Sequence, residues 1–455
     1  MPEPRLQRSL THSFRLPRDR YRRVAAWLDN TTGGSGLIRQ ELRHIFPDDW
    51  SFFFGEIALY CFIILVITGV YMCLFFKASA APTVYLGSYQ PLHGVSVSEA
   101  YNSVLRLSFD TRAGLVIRQV HHWAALVFAA ALIFHLFRMY FTGAYRRPRR
   151  LNWLLGLSML MLVVINGVFG YSLPDDLLSG TGLRIAFSIT QSVPLIGPNL
   201  ASLLFGGDFP SNSLIARIYP VHILLVPGAI AGLLGAHLGL LWIQRHTQYR
   251  GRRRTDLTVV GTPLVPAYAL RTTGFLLLLT GLLTILGGFF QINPVWLYGP
   301  YHPWDSTSFA QPDWYTGWLE GAVRMMPAWD IHIGGLLIPG LFWPAAVLPG
   351  IVAGFLFSWP WLDALFTRDD ALHNVLETPR DRPGRTAVGA GVLTFLFMLL
   401  VAGGDDVFAA VFHWNLPTLL SVMEGLTLGL PFLVGLLVYA IFRRRHVTAP
   451  EEVTP

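Results

Sequence analysis

Charge is what this chain has least of. Of its 455 residues 13% are charged, while 53% are hydrophobic and 13% aromatic; soluble globular domains carry roughly a quarter charged residues. So little charge excludes a water-facing surface of several domains and implies a polytopic membrane protein. Cysteine is almost missing too. Cys61 and Cys73, placed on one helix, would lie ~18 Å apart, too far to bridge, so there is no disulfide framework. No CxxCH motif is present, which excludes covalent attachment of a c-type haem to this chain. The first 50 residues are polar and rich in Arg and lack the short apolar core of a signal peptide, so they are expected to stay on the mature protein.

Long apolar runs are abundant. Eight stretches come close to or exceed the ~20 residues that cross a bilayer, at 51–76, 114–142, 151–171, 219–243, 273–290, 331–358, 386–402 and 417–442. We label them spans A to H. An even number puts both termini on one side, and the basic residues identify that side. Of 34 Lys and Arg, 26 fall in the N-terminal segment, the B–C, D–E and F–G connections and the tail; 6 fall in the other four connections, and Arg118 and Arg138 lie within span B. By the positive-inside rule both termini are cytoplasmic. The net charge of +7 therefore reflects topology and gives no reason to expect nucleic-acid binding. The basic run "RGRRR" at 250–254 suits anionic lipid. The fold class expected is all-α, with a cytoplasmic extension at 1–50, a four-helix bundle of spans A–D at 51–245, a cytoplasmic linker at 246–272, spans E–H at 273–442 and a tail at 443–455.

Span B carries an unusual ionisable load, "IRQVHHWAALVFAAALIFHLFRM" at 117–139. Helical residues turn 100° and rise 1.5 Å each, so His121 and His135 sit within ~40° of one face and ~21 Å apart, whereas His122 is ~140° out of register with His135. Span D repeats the arrangement, with His222 and His237 ~22 Å apart and ~60° off one face. A single intramembrane histidine is commonly a hydrogen-bonded packing residue. Four at paired depths on two helices form a ligand set for two bis-histidine haems stacked across the membrane, His121 with His222 near the outer surface and His135 with His237 near the inner. His122 and His332 keep the packing reading. Arg118 and Arg138 flank the ligands at i−3 and i+3, where a guanidinium can pair with a haem propionate. Gly55 and Gly69 on span A and Gly156 and Gly170 on span C are also 14 apart, leaving room at both depths for a flat macrocycle.

Together these residues resemble cytochrome b of the respiratory cytochrome bc complexes, over roughly residues 45–445. The resemblance also rests on "GYSLP" at 170–174, "SVPLIG" at 192–197 and "PDWY" at 312–315. "SFFFGEIALY", "GYSLPDDLLSGTGL", "FGGDFP" and "RHTQYRG" look most like the actinobacterial members, which oxidise menaquinol. Two departures stand out. The family's usual motif is Pro-Glu-Trp-Tyr, and here the acid is the shorter Asp313. The mitochondrial-type histidine six residues after the last haem ligand is replaced by Ile243, so inner quinone residues cannot be carried over. No cysteine precedes Gly55 in "SFFFG", so no third haem is expected.

The resemblance implies quinol oxidation on the outer side, between span C, the C–D segment and the PDWY loop. There Asp313 takes a proton, Tyr315 orders it, and Tyr171, Gly182, Pro312 and Trp314 contribute to the site. It also implies two non-covalent b-type haems, a quinone site near the cytoplasmic face, a Rieske iron–sulfur subunit, a di-haem c-type cytochrome subunit, a homodimer of the complex and an association with a haem-copper terminal oxidase in a bacterial plasma membrane. Two other readings compete. A di-haem membrane anchor of another dehydrogenase needs only four or five helices and no PDWY loop. A haem-free transporter typically shows inverted repeats, and none is visible between the two halves.

Overall fold

A computed structural model describes residues 23, 26, 27, 29–31, 41–305 and 311–447. Eight helices in it are long and apolar enough to span a bilayer: A Trp50–Cys73, B Gly114–Phe141, C Arg150–Ser172, D Leu214–Gln244, E Leu264–Phe289, F Trp343–Thr367, G Pro383–Ala402 and H Leu416–Arg443. Span A packs on B and span C on D, E backs B, and G packs on H. Much of the lipid-spanning surface stays exposed in the isolated chain, as expected where the solvent for that surface is hydrocarbon. The core between A, B, C, D and E is built from Ala58, Cys61, Ile64, Val120, Ala124, Phe128, Val163, Val226, Ile230 and Leu283. Small side chains recur there because close helix approach is what membrane packing rewards.

The connections are unequal. A–B, C–D, E–F and G–H carry the amphipathic surface helices Glu99–Phe109, Leu177–Gln191, Gly197–Phe205, Gly317–Met325 and Asp405–Phe412. Those four connections share one side. Local capping fixes two of these helices: Ser98 accepts a hydrogen bond from the Tyr101 N–H, and Asp176 forms a capping box with Ser179. On the opposite side Ile45–Phe46 pairs antiparallel with Thr262–Pro263, and His44 stacks on Trp242 at 4.3 Å. This seats the chain just before span A across the end of span D. Span A is tied to span E by Glu56, whose carboxylate accepts hydrogen bonds from Tyr268 (2.6 Å), Thr272 (2.9 Å) and Tyr60 (3.3 Å).

Span F departs from the expected limits of 331–358. Ile331–Ile333 and Leu336–Ile338 form a two-stranded hairpin, turned by Gly334 and Gly335 at φ of 55° and 83°. Glycine reaches that left-handed region without a Cβ clash. The apolar run therefore begins as a hairpin, and the helix starts only at Trp343. His332 lies in that hairpin and is exposed.

Buried ions fasten the B–C connection to the F–G connection. Glu377 accepts from Arg146 at 2.9 Å, from Arg382 at 2.9 Å and from Arg385 at 2.7 Å. Burial alone would raise the Glu377 carboxyl, but Arg385 and Arg146 beside it hold it below the ordinary carboxylate range. A depressed acid contributes its stability above its unfolded pKa of about 4.3 and loses it as pH falls further. Glu377→Ala strands two buried guanidiniums, a loss of about 3–5 kcal/mol for a broken buried pair. The low end is expected, because Asp369 also faces Arg146 at 3.8 Å. Thermal unfolding of the purified protein at neutral pH should show a large drop in midpoint, and an unchanged midpoint would remove this cluster from the account of stability.

Candidate functional site

Four histidines of the expected set meet in two pairs. The rings of His121 and His222 have centroids 6.3 Å apart at 68°, and those of His135 and His237 are 6.5 Å apart at 69°. A metal–imidazole bond is about 2.0 Å; two such bonds plus the two ring radii, ~1.1 Å each, span about 6 Å. Each pair is therefore spaced for one metal held between two imidazoles.

Span D reaches this geometry with a 15-residue interval where span B uses 14, and a local irregularity explains it. Val221–Leu225 is one turn of π-helix, which accommodates one extra residue. Pro227 lacks the N–H that a regular helix would donate to the Ile223 carbonyl, which favours widening the turn here. The apparent ~60° mismatch between His222 and His237 is thereby reduced. His222 lies within the widened turn itself.

Neighbouring groups set the tautomer at the outer pair. The Thr68 hydroxyl donates to the Ile64 carbonyl at 2.6 Å and lies 2.9 Å from His121 Nδ1, so it accepts the Nδ1–H. The Asn166 carbonyl, which can only accept, takes the Nδ1–H of His222 at 3.0 Å. Both Nε2 lone pairs are left free for a metal. Gly55, Gly69 and Gly156 sit against the imidazoles of His135, His121 and His237, where a Cβ would lie 3.4, 3.4 and 3.8 Å from the ring. At Gly170 a Cβ would come within 2.5 Å of His222, so glycine is required there. The clearance these four glycines give is clearance for the ligand rings.

Arg118 donates to the Asn293 carbonyl at 3.2 Å and lies over Trp296. Arg138 donates to Thr247 at 3.2 Å and lies over Phe52. Neither forms an ion pair with a carboxylate among the described residues, and the Nε of each is buried without a partner. Two guanidiniums left without an anion, one beside each histidine pair, fit a group that brings its own carboxylates.

A cavity of about 160 Å³ opens beside the outer pair, lined among others by His121, His222, Tyr171, Asp176, Asp313 and Tyr315. Asp313 is held on both oxygens: Tyr315 donates to Oδ2 at 3.0 Å, and His122 Nε2 lies 3.1 Å from Oδ1. Burial, and then the Asp313 charge, push the Tyr315 phenol well above its ordinary range, so it stays a hydrogen-bond donor. A Cβ at Gly182 would strike the Tyr171 hydroxyl and one at Gly167 the Tyr315 hydroxyl; both glycines make room for rings that form the cavity. Pro312 and Trp314 are not part of its wall. Trp314 is 39% exposed and meets Tyr315 edge-on at 6.0 Å, turned outward because neighbouring residues of a turn point in different directions.

Two residues of this cavity were not expected from the sequence. Helix geometry turns His122 away from the face of His121, and the structure brings its ring to Asp313, 191 residues on, so it is more than a packing residue. Asp176, 2% exposed, stands in the sequence only within "GYSLPDDLLSGTGL".

On the side of the inner pair, Arg245, Asp256 and Arg271 have partners within the chain. Arg245 donates to the Leu257 carbonyl at 2.9 Å, Asp256 accepts from the N–H groups of Asn374 and Val375, and Arg271 pairs with Asp48 at 2.8 Å.

A family profile described as "Cytochrome b(N-terminal)/b6/petB" matches residues 126–300. The chain is 47% identical over 410 residues to a cytochrome bc1 complex cytochrome b subunit of Corynebacterium diphtheriae, covering 90% of this chain and 76% of the relative. It is 49% identical over 395 residues to the protein of that name from Mycobacterium tuberculosis, covering 87% and 72%. A protein of the same name from Streptomyces coelicolor is 46% identical over 395 residues, covering 87% and 72%. Among solved structures, a chain of "Hyperthermophilic respiratory Complex III" superposes with a TM-score of 0.67 at 19% identity, over 91% of this chain and all of that one, a likeness of fold.

Proposed function

Because this chain belongs to the cytochrome b subunits of cytochrome bc1 complexes, a catalytic membrane subunit of a quinol–cytochrome c oxidoreductase, we propose that it oxidises menaquinol at the cavity beside the outer histidine pair. The observation that carries the reading is the pair of facing imidazoles at each of two depths. His121 with His222, and His135 with His237, would each hold one non-covalent b-type haem, and Arg118 and Arg138 would meet the propionates. Bound there, the two haems supply a one-electron path between the outer side and a quinone at the inner side.

The chain's own residues handle position and protons. Tyr315 and His122 hold the Asp313 carboxylate at the cavity wall, where it takes a proton from a quinol hydroxyl and passes it outward. Gly182 and Gly167 seat Tyr171 and Tyr315, which shape the ring slot. The electrons that do not cross the membrane go to a Rieske iron–sulfur subunit and on to a di-haem c-type cytochrome. The complex is a homodimer, associated with a haem-copper terminal oxidase. The anchor and transporter readings do not account for eight spans together with this kinship. Menaquinol-dependent reduction of a c-type cytochrome by the intact complex tests the proposal, and a complex that binds haem but leaves menaquinol unoxidised would contradict it.

The protein sits in the bacterial plasma membrane with both termini cytoplasmic. A reporter fused after Arg445 should read cytoplasmic and one in the E–F connection external. An external C-terminus would overturn the orientation drawn from the arginines.

A further inference from the structure

The cavity holds a second carboxylate that the proposed function leaves idle. Asp176 is 2% exposed and lines the same cavity as Asp313 and Tyr315. Part of its duty is structural: its side chain accepts the N3 backbone N–H in the capping box of helix Leu177–Gln191. Its Oδ2, however, is buried with no hydrogen-bond partner. A cap needs one oxygen and gains nothing from hiding the other, and an unpaired buried carboxylate oxygen is costly unless a proton or a ligand meets it.

We propose that Asp176 is a second proton-handling residue of the quinol cavity, its free oxygen accepting a ring-hydroxyl proton while the same side chain caps the helix behind it. This rests on the quinol-oxidation reading above. Oxidising one quinol breaks two O–H bonds and removes two electrons. The iron–sulfur partner and a haem held by His121 and His222 would supply the two one-electron acceptors. One proton goes to Asp313 and the other to Asp176, and each carboxylic acid then releases its proton to outer water.

The groups around Asp176 suit this work. Burial pushes its carboxyl up to about 6, against the lowering by the Ser179 hydroxyl, backbone N–H groups and Arg118. Arg118 faces it from span B, Tyr171 from span C, Tyr101 from helix Glu99–Phe109 and Tyr298 from the segment after span E. Asp175 adjoins it in the chain. Arg118 is the single cation of this set, and it forms no ion pair with Asp176. A proton acceptor must be ionised, so acceptance by Asp176 is present above about pH 6 and is lost as pH falls below it.

The test uses the intact complex carrying Asp176→Asn, which keeps shape and capping, and Asp176→Ser, which keeps only a good cap. Menaquinol oxidation at saturating quinol is measured across the acid limb, with reduced-minus-oxidised haem spectra alongside. Both variants should keep normal haem spectra, lose about 10²-fold in rate and lose the acid limb centred near pH 6. Wild-type rate and pH profile in the Asn variant would overturn the proposal. So would recovery of activity in the Ser variant, because capping alone would then explain the residue. A wild-type complex unable to oxidise menaquinol would sink the proposed function itself, and this inference with it.

Discussion

Replacing His135 or His237 with alanine is expected to remove the inner haem and leave the outer one, and replacing His121 or His222 to do the reverse. Haem content per chain should fall from two to one in each case. The expectation comes from ring geometry: 6.3 and 6.5 Å between facing imidazoles leave room for one metal between each pair, so losing either ring would remove one of the two protein ligands that could hold it. His122→Ala is the control that separates this from a general effect of cutting histidines in span B. Its Nε2 lies 3.1 Å from Asp313, off the ligand face, so both haems should remain. Haem extraction and quantitation per chain decide it. If His122→Ala loses a haem while His121→Ala does not, the assignment of faces on span B is wrong.

The second large effect is expected at Asp313. Asp313→Asn keeps size and hydrogen bonding but cannot take a proton, so haem content should stay normal while quinol oxidation falls. A positioned proton acceptor is typically worth about 10²–10⁴-fold in rate. The lower part of that range is expected, because water in the same cavity can take part of the load. Asp313→Glu restores the family's usual acid and should retain most activity. Tyr315→Phe removes one of the two hydrogen bonds on the carboxylate and should lower the rate less than Asp313→Asn does. Steady-state menaquinol oxidation beside haem difference spectra is the measurement. Full activity in the Asn variant would end the proton-acceptor role, and equal haem loss in the Asn and Glu variants would make Asp313 structural.

Most of the scaffold was legible because its signals are local. Hydropathy over a 20-residue window locates a span whatever its neighbours do, and a 14-residue interval fixes depth and face from helix geometry alone. That is why His121 and His135 could be placed on one face of span B, at two depths, by counting. Where the backbone leaves regular geometry, counting misleads. The π-turn at Val221–Leu225 made the spacing on span D look out of register, and the hairpin around Gly334 and Gly335 took the start of an apolar run away from span F. Contacts between distant segments were beyond reach. His122 meets Asp313 across 191 residues, and no periodicity in span B records what the E–F connection will bring to it. Nothing local in "GYSLPDDLLSGTGL" marks Asp176; only its burial and its unpaired oxygen set it apart.

The central claim is that this chain is built around two bis-histidine haem sites, and haem stoichiometry on the purified wild-type subunit tests it most directly. Acid-solvent extraction followed by quantitation against protein should give two b-type haems per chain, both extractable, with a reduced-minus-oxidised spectrum of the b type. A preparation that is folded and active yet holds no haem, or one haem that resists extraction, would contradict the account.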